Sequence, residues 1–176
     1  MRNKIDYGID LGTTNSAIAR MENGVPTIKK SDTLKDTVPS CIHFNKRQDI
    51  LVGDTAFNVM KNDNARALKT LEKGKTNTFI EFKRTMGTTH TYECSNMTKS
   101  FSSEELSAEI LKKLKSFIQD ENISSIVITV PAKFLNPQNE ATMKAAKLAG
   151  FKPQHYFSLV IKVKNVSVPH TNFYTQ

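Results

Sequence analysis

Apolar and polar positions along the first thirty residues follow a pattern that is typical of strands. Residues 4–10 alternate loosely and end in an apolar stretch before Asp10, and residues 16–21 alternate in the same way. Alternation over 4–8 residues indicates a half-buried strand. Asn23 and Gly24 follow, and both tolerate the positive φ that a two-residue hairpin turn requires. The pattern therefore predicts two strands and a hairpin that continues into residues 25–30.

A less regular segment follows, in which strand and helix signals alternate. Residues 38–44 and 50–52 are apolar stretches on either side of a polar turn, which predicts a second pair of strands. Asp54 can cap a helix that runs to about residue 60. A second helical piece is predicted over residues 65–73, with Gly74 as its stop.

The capping signals are clearest in the second half of the chain. Ser102 and Glu105 have the spacing of a capping box, in which each side chain satisfies a free backbone amide of the other residue. An apolar stripe at near-helical spacing follows, and it comprises Leu106, Ile110, Leu114 and Phe117. These residues predict an amphipathic helix.

A buried strand and another helix are predicted after that. Residues 126–130 form a short, almost continuously apolar run rich in β-branched residues, as in a strand covered on both faces. Pro131 ends the run. Asn136 and Pro137 make a good helix start, and Gly150 provides its stop. The order of hairpin, insert, helix, buried strand and helix predicts a mixed α/β layer structure.

The composition fits one soluble globular domain. The chain has 176 residues, of which 38% are hydrophobic and 24% are charged, and a domain comprises about 100–200 residues. No apolar run approaches the ~18–20 residues of a membrane span, and residues 1–12 lack the pattern of a signal peptide. Cys41 and Cys94 have no metal-type spacing. These features predict a reduced, cytoplasmic protein with no membrane association.

The net charge of +8 raises the question of nucleic-acid binding. Residues 1–140 carry 20 basic and 17 acidic residues, whereas residues 141–176 carry five lysines and no acidic residue. Most of the basic excess therefore lies in the tail, and no base-stacking motif accompanies it. The distribution favours solvated surface lysines over specific nucleic-acid binding, with non-specific polyanion binding by the tail left open.

The residues that carry chemistry lie in a turn between the first two predicted strands. Asp10 ends the first strand, and Gly12 lets an anion approach the backbone without a Cβ in the way. The amides of Thr13, Thr14 and Asn15 can form a concave nest, and both threonine hydroxyls can donate. Because Asp10 would repel a phosphate, a divalent cation or its water shell is expected nearby. The alternative is a plain hairpin turn with a polar tip.

This turn resembles the first phosphate loop of the heat-shock-70 chaperones, whose ATPase domain belongs to the actin and sugar-kinase superfamily. Further segments follow the family's order over about residues 4–151, and no Walker-type Gly-Lys-Ser/Thr is present. The matching segments are residues 51–56, 82–87, 106–111, 127–132, 138, 141–142 and 149–151. The resemblance implies an α/β protein with the actin-like ATPase (ribonuclease H-like) fold, lobe I only, in which helices flank a mixed sheet.

The resemblance also implies binding of ATP or ADP together with Mg²⁺. Asp10 would act through water on the magnesium ion, while Gly12, Thr13, Thr14 and Asn15 would hold the β- and γ-phosphates. These roles suit phosphoryl transfer, which depends mainly on positioning and on neutralising charge.

Two further residues receive roles from the resemblance. Lys83 would reach the γ-phosphate and the attacking water, which makes it a catalytic residue together with Asp10. Pro131 corresponds to a hinge proline that senses the nucleotide and signals onward. A surface lysine and a simple strand terminator are the respective alternatives.

The family pattern implies a division of the chain into a core subdomain and an insert. Residues 1–36 and 100–150 would form the core subdomain of lobe I, and residues 37–99 would form the insert subdomain. Residues 151–176 are an unassigned, divergent tail, in which residues 157–168 have the alternation of a β segment.

Some departures from the family pattern bear on function. Lys133 and Asn139 stand where the family usually has an aromatic residue and an arginine, and that arginine helps to relay the nucleotide signal. No second phosphate loop, adenosine-binding lobe or peptide-binding domain is recognisable, so a truncated and divergent member of the family is expected.

The resulting hypothesis is the nucleotide-binding lobe of a heat-shock-70-like chaperone of the stress response, with little hydrolysis by this chain alone. Its partners would be a nucleotide and, through domains not seen here, unfolded client proteins or co-chaperones. Two alternatives remain at this point. One is a non-enzymatic, truncated fragment that binds partners, and the other is a sugar- or acetate-kinase-like member of the same superfamily.

Overall fold

A computed structural model describes residues 7–70, 77–123 and 126–151, together with the backbone of residues 158–159. The strands are β1 (Tyr7–Asp10), β2 (Asn15–Glu22), β3 (Val25–Ile28), β4 (Val38–Pro39), β5 (Cys41–Phe44), β6 (Ile50–Val52), β7 (Thr78–Ile80), β8 (Thr91–Cys94), β9 (Lys99–Ser102), β10 (Val127–Thr129) and β11 (Ser158–Leu159). The helices are α1 (Asp54–Thr70), α2 (Ser103–Lys115) and α3 (Asn136–Leu148), and a short 3-10 helix covers Phe82–Thr85.

The larger sheet is mixed, and β1 lies near its centre. Its strand order is β11-β10-β1-β2-β3, and β4 pairs with the beginning of β2. β1 is parallel to β10 and antiparallel to β2, so Asp10 has Thr129 on one side and Ala17 on the other. Because β1 and β10 run in the same direction, their carboxyl ends meet at one edge of the sheet. The turn over residues 11–14 begins at this edge.

The predicted hairpin between the second and third strands is confirmed. Asn23 and Gly24 have φ values of 50° and 83°, which is the left-handed pair that the turn requires. β2 and β3 pair on either side of it, with Glu22 opposite Val25.

A second sheet has the order β6-β5-β7, and β8 pairs with β9 in a separate hairpin. The prediction of one strand over residues 38–44 is wrong, because the stretch is divided at Ser40 between two sheets. Val38 and Pro39 pair with β2, whereas residues 41–44 pair with β6 and β7. The Ser40 amide donates to the Thr14 carbonyl oxygen at 2.7 Å, directly beyond the pairing of Pro39 with Asn15. The alternation did not predict β7, β8, β9 or the 3-10 helix.

The two predicted helical pieces of the insert are one continuous helix, α1, which begins at Asp54. The predicted interruption after residue 60 is wrong, and residues 71–74, including the predicted stop, lie outside the described residues. The Asp54 carboxylate accepts hydrogen bonds from the Thr33 hydroxyl at 2.8 Å and from Lys35 Nζ at 2.7 Å. It therefore ties the helix start to the segment that precedes β4.

The capping box of α2 is confirmed. The Glu105 amide donates to Ser102 Oγ at 3.2 Å, and the Ser102 amide donates to the Glu105 carboxylate at 2.8 Å. Leu106, Ile110 and Leu114 of the predicted stripe are fully buried, and Phe117 packs against the same core. The helix thereby fixes the centre of the hydrophobic core.

α3 also begins and ends as predicted, with Pro137 in its first turn and Gly150 at φ 82° beyond its end. None of the helices over the described ranges has the length and apolar character that crossing a membrane requires. The β segment predicted over residues 157–168 lies outside the described residues, except that the backbone of residues 158–159 pairs in parallel with β10. The subdomain boundaries drawn from the sequence stay a prediction.

Candidate functional site

The predicted phosphate loop lies at the carboxyl end of β1, between β1 and β2. Asp10 is exposed there, and the Thr129 hydroxyl at the end of β10 donates to its Oδ1 at 2.9 Å. This hydrogen bond fixes the carboxylate at the edge of the sheet. The parallel pairing of β1 and β10 therefore positions a negative charge at the start of the loop.

Two buried serines, Ser16 and Ser40, hold the loop from behind. The Gly12 amide donates to Ser16 Oγ at 3.1 Å, and the Ser40 hydroxyl donates to the Gly12 carbonyl oxygen at 2.8 Å. The two hydroxyl oxygens are 2.9 Å apart, and the Ser40 amide donates to the Thr14 carbonyl oxygen at 2.7 Å. The loop is thus fixed by polar contacts on its inner side. Sequence reasoning missed both serines, although Ser40 is a polar interruption in an apolar run.

Gly12 is required by the turn itself. A Cβ on this residue would lie 1.9 Å from the Asn15 carbonyl oxygen, which no side chain can tolerate. The sequence suggested that this glycine leaves room for an anion. In the structure, the absence of a Cβ first allows the chain to fold back on itself within three residues.

The outer side of the loop offers hydrogen-bond donors. Over the described ranges, neither the amides nor the hydroxyls of Thr13 and Thr14 have an acceptor. Thr13 is half-buried, and Thr14 and Asn15 are exposed. Consecutive amides without partners at a tight turn are the feature that binds anions in phosphate-binding nests.

Lys83 reaches this loop from the 3-10 helix, 72 residues further along the chain. Its Nζ donates to the carbonyl oxygen of Leu11, which lies between Asp10 and Gly12. Only 7% of the Lys83 residue surface is exposed. The structure therefore brings together the predicted lysine and the predicted loop, which sequence reasoning had connected only through a family resemblance.

The position of Lys83 depends on how the 3-10 helix is anchored. Phe82 is buried in the core, and the Thr85 hydroxyl lies 2.6 Å from the Ser103 hydroxyl at the start of α2. Gly87, just beyond the helix, has φ 76°, and a Cβ there would lie 2.8 Å from the carbonyl oxygen of Pro137. The lysine is thus held between α2 and α3.

Burial lowers the pKa of Lys83, and the field of Asp10 opposes that shift. An ammonium group has three donors, and over the described residues Lys83 uses one of them, on Leu11. Two N–H groups are therefore left for a ligand. Removing an ammonium from water strengthens its attraction to a nearby anion.

Pro131 and Phe134 form the turn that follows β10. Pro131 is exposed, and its carbonyl oxygen accepts from the Phe134 amide at 2.9 Å. The Phe134 ring lies beside Lys83, with Nζ 5.3 Å from the ring centroid. Sequence reasoning missed Phe134, because nothing in the local pattern indicates which side chain its ring contacts.

The residues present suit a magnesium ion that is bound together with phosphate. Magnesium usually keeps several waters and takes one or two carboxylates plus substrate phosphates. Over the described residues there is no group of three His, Cys, Asp or Glu side chains that could hold a metal ion by itself. Asp10, as a single exposed carboxylate beside unpaired amides, fits the shared type of site.

The mixed sheet, its flanking helices and the loop at the carboxyl ends of β1 and β10 define the class of the protein, which is lobe I of an actin-like α/β fold. A family profile described as Hsp70 protein matches residues 6–156 of this chain. The chain belongs to the Hsp70 family. The expected fold class and the expected family are both confirmed, and the match reaches slightly beyond the resemblance seen over residues 4–151.

Individual relatives agree with this assignment. The chaperone protein DnaK of Mycoplasmopsis agalactiae is 37% identical over 155 residues, which cover 86% of this chain and 23% of that protein. DnaK of Mycoplasma mobile is 40% identical over 146 residues, covering 81% of this chain and 22% of that protein. The chloroplastic heat shock 70 kDa protein 7 of Arabidopsis thaliana is 36% identical over 161 residues, which cover 82% of this chain and 22% of that protein.

The chain therefore spans less than a quarter of the length of these curated relatives. All three are chaperone or heat-shock proteins by name, and none is a sugar or acetate kinase. The kinase-like alternative and the partner-binding fragment are accordingly not favoured.

Proposed function

We propose that this chain binds ATP and ADP with Mg²⁺ and forms one wall of the nucleotide site of a chaperone of the Hsp70 type. The observation that carries the proposal is the contact between Lys83 Nζ and the Leu11 carbonyl oxygen. It brings a buried cation to a loop in which the amides of Thr13 and Thr14 have no acceptor within the described part of the chain. A negatively charged ligand with several oxygens is the chemistry that such a site recognises.

The loop supplies hydrogen-bond donors to the phosphates in this proposal. Thr13 and Thr14 donate through their amides and hydroxyls, while Gly12 and Asn15 shape the turn and line its outer side. The support is the set of four unpaired donors on two adjacent residues, on a loop held rigidly by Ser16 and Ser40. Rigid donors lose little conformational entropy when a ligand binds.

Asp10 would hold the magnesium ion through the water shell of the ion. The bound ion would neutralise part of the phosphate charge during phosphoryl transfer. The carboxylate keeps its orientation through the Thr129 hydroxyl, and one of its oxygens accepts that hydrogen bond. Because the charge of the bound ion would offset that of the carboxylate, a phosphate could lie close to Asp10, which would otherwise repel it.

Lys83 acts on the terminal phosphate and Pro131 acts as a hinge. The lysine donates to the γ-phosphate oxygens, where developing charge needs a fixed cation. Pro131 lies two residues beyond Thr129, the last residue of β10, which donates a hydrogen bond to Asp10. A change at Asp10 therefore has a short route to the turn before α3. That geometry supports a signalling role for the proline.

The wider biology belongs to the same proposal. We infer that the protein acts in the cytoplasm during the stress response, and that unfolded clients and co-chaperones are its partners. The names of its relatives as chaperone and heat-shock proteins support the stress-response role and the partners, and they do not bear on the location. These 176 residues supply one side of the site, so weak nucleotide affinity and little hydrolysis are expected when they are studied alone.

Calorimetric titration with Mg-ADP and Mg-ATP tests the proposal. Thr13→Val removes a hydroxyl while it keeps the shape of the side chain, and a hydrogen bond to a charged group contributes about 1.5–3 kcal/mol. We therefore expect at least about a tenfold loss of affinity. Thr91→Val, at an exposed position of β8, is the matched control. Binding that Thr13→Val leaves unchanged would place the nucleotide elsewhere.

Lys83→Met separates the two nucleotides. It keeps an unbranched side chain in the buried position and removes the charge. If Lys83 contacts the γ-phosphate, affinity for Mg-ATP falls more than affinity for Mg-ADP. Equal losses for both would contradict the assigned contact, and robust Mg-dependent turnover that needs Lys83 would contradict the expected low activity.

A further inference from the structure

The ammonium of Lys83 is buried without an ion pair over the described residues. The charge of Asp10 acts on it, but the hydrogen bond that fixes the Asp10 carboxylate comes from the Thr129 hydroxyl. One neighbour of Nζ is the Leu11 carbonyl oxygen, and another is the face of the Phe134 ring. A buried cation with a single carbonyl acceptor needs further compensation, because removal from water disfavours its charge.

We propose that Phe134 is a positioning residue for Lys83, whose ring face holds the ammonium against the phosphate loop in its charged form. The distance of 5.3 Å from Nζ to the ring centroid lies within the range of a cation–π interaction. The electron-rich face of an aromatic ring attracts a cation without using any of its N–H donors. Phe134 thus keeps the lysine charged and leaves its free donors available to a ligand.

Independent contacts fix both partners of this pair. Phe134 packs against the hydrophobic core, and its amide closes a turn on the Pro131 carbonyl oxygen. The segment that carries Lys83 abuts the start of α3 through Gly87 and Pro137. Because neither element depends on the cation–π contact for its position, the ring is preorganised to receive the ammonium.

Charged groups beside this pair include Asp10 of β1, Arg84 next to Lys83 and Lys133 next to Phe134. Glu104, at the start of α2, accepts a hydrogen bond from the Gly87 amide at 3.3 Å. Arg84 is largely exposed and pairs with Glu81, so it does not replace Lys83 at the loop. Asp10 is the one whose field on Lys83 favours the charged form. A titration of Lys83 must therefore be compared among variants that leave these four residues unchanged.

The nucleotide-free chain tests the inference through the pKa of Lys83, followed by the chemical shift of its Cε carbon and assigned with Lys83→Met. Phe134→Leu keeps an apolar side chain, and a ring-fluorinated phenylalanine at position 134 keeps the shape while it weakens the negative ring face. In both variants we expect the pKa of Lys83 to fall by about one pKa unit or less. Phe134→Tyr retains the ring face and is expected to retain the wild-type pKa.

The direction of the change separates two roles for the ring. If Phe134 only excludes water, Phe134→Leu hydrates the ammonium and raises the pKa of Lys83, and ring fluorination leaves it unchanged. Either result would overturn the inference. Phe117→Leu is the matched control, because Phe117 is also partly buried and has Lys113 Nζ 5.5 Å from its ring centroid. Phe117→Leu should leave the pKa of Lys83 unchanged.

Nucleotide binding gives a second readout, which rests on the proposed function. Phe134→Leu is expected to weaken Mg-ATP binding about fivefold, with rescue by Phe134→Tyr. If Phe134→Tyr is folded but binds Mg-ATP as weakly as Phe134→Leu does, the positioning role is contradicted. If the wild-type chain bound no nucleotide, the proposed function would fail, whereas the titration of Lys83 would still decide the role of Phe134.

Discussion

Gly12→Ala is expected to destabilise the fold by distorting the loop between β1 and β2. The added Cβ would lie 1.9 Å from the Asn15 carbonyl oxygen and 3.1 Å from its carbonyl carbon. Asn15 is the first residue of β2 and pairs with Pro39, so the carbonyl cannot move without disturbing that pairing. Overpacking costs about 1–3 kcal/mol, and the reduced entropy of the unfolded chain returns about 0.4–1 kcal/mol. The expected net loss is about 1–2 kcal/mol.

Urea unfolding followed by circular dichroism measures this loss. With an m-value of about 2 kcal/mol per molar urea, in the middle of the range for small domains, the midpoint should fall by about 0.5–1 M. Gly8→Ala is the matched control, because a Cβ on Gly8 would meet no atom within 4 Å. A Gly12→Ala midpoint equal to that of the control would refute the steric reasoning.

Two further substitutions probe contacts behind the loop and at the start of α1. Ser40→Ala removes the buried hydroxyl that donates to the Gly12 carbonyl oxygen, and urea unfolding should show a loss of about 1–2 kcal/mol; an unchanged midpoint would contradict it. Burial opposes ionisation of Asp54, but hydrogen bonds from Lys35 and Thr33 hold its pKa below the ordinary value. Its contribution to stability is complete above the unfolded value of 3.8 and is lost as the pH falls through the folded value. In Asp54→Asn, the free energy of unfolding should therefore fall less steeply at acidic pH than it does in the wild type. An identical fall in both proteins would contradict this.

Local signals predicted the elements whose formation depends on a few adjacent residues. The turn at Asn23 and Gly24 needs two positive φ values, and the capping box needs Ser102 and Glu105 three residues apart. These requirements are visible in the sequence because both partners lie within one turn of the chain.

Propensity alone gave the wrong account of α1. The prediction left residues 61–64 outside a helix, and they include Asn62, Asp63 and Asn64, residue types that favour turns over helix interiors. The helix nevertheless runs through them, since one of its faces packs against β5 and β6. Tertiary packing regularly overrides such weak local preferences.

The site itself is assembled by contacts between distant parts of the chain. Lys83 meets Leu11 across 72 positions, and Ser40 meets Gly12 across 28. A single sequence carries no signal for such pairs, so the lysine could be connected to the loop only through family resemblance. Neither the sequence pattern nor the family resemblance predicted the contact between Lys83 and the Phe134 ring.

The most direct test of the phosphate-binding loop is an NMR titration of the isotope-labelled chain with Mg-ADP. If the loop binds the phosphates, the amide resonances of Thr13 and Thr14 shift in a saturable way, and Thr13→Val weakens the response. Saturable shifts confined to other parts of the chain, with both of these amides unchanged, would contradict the account.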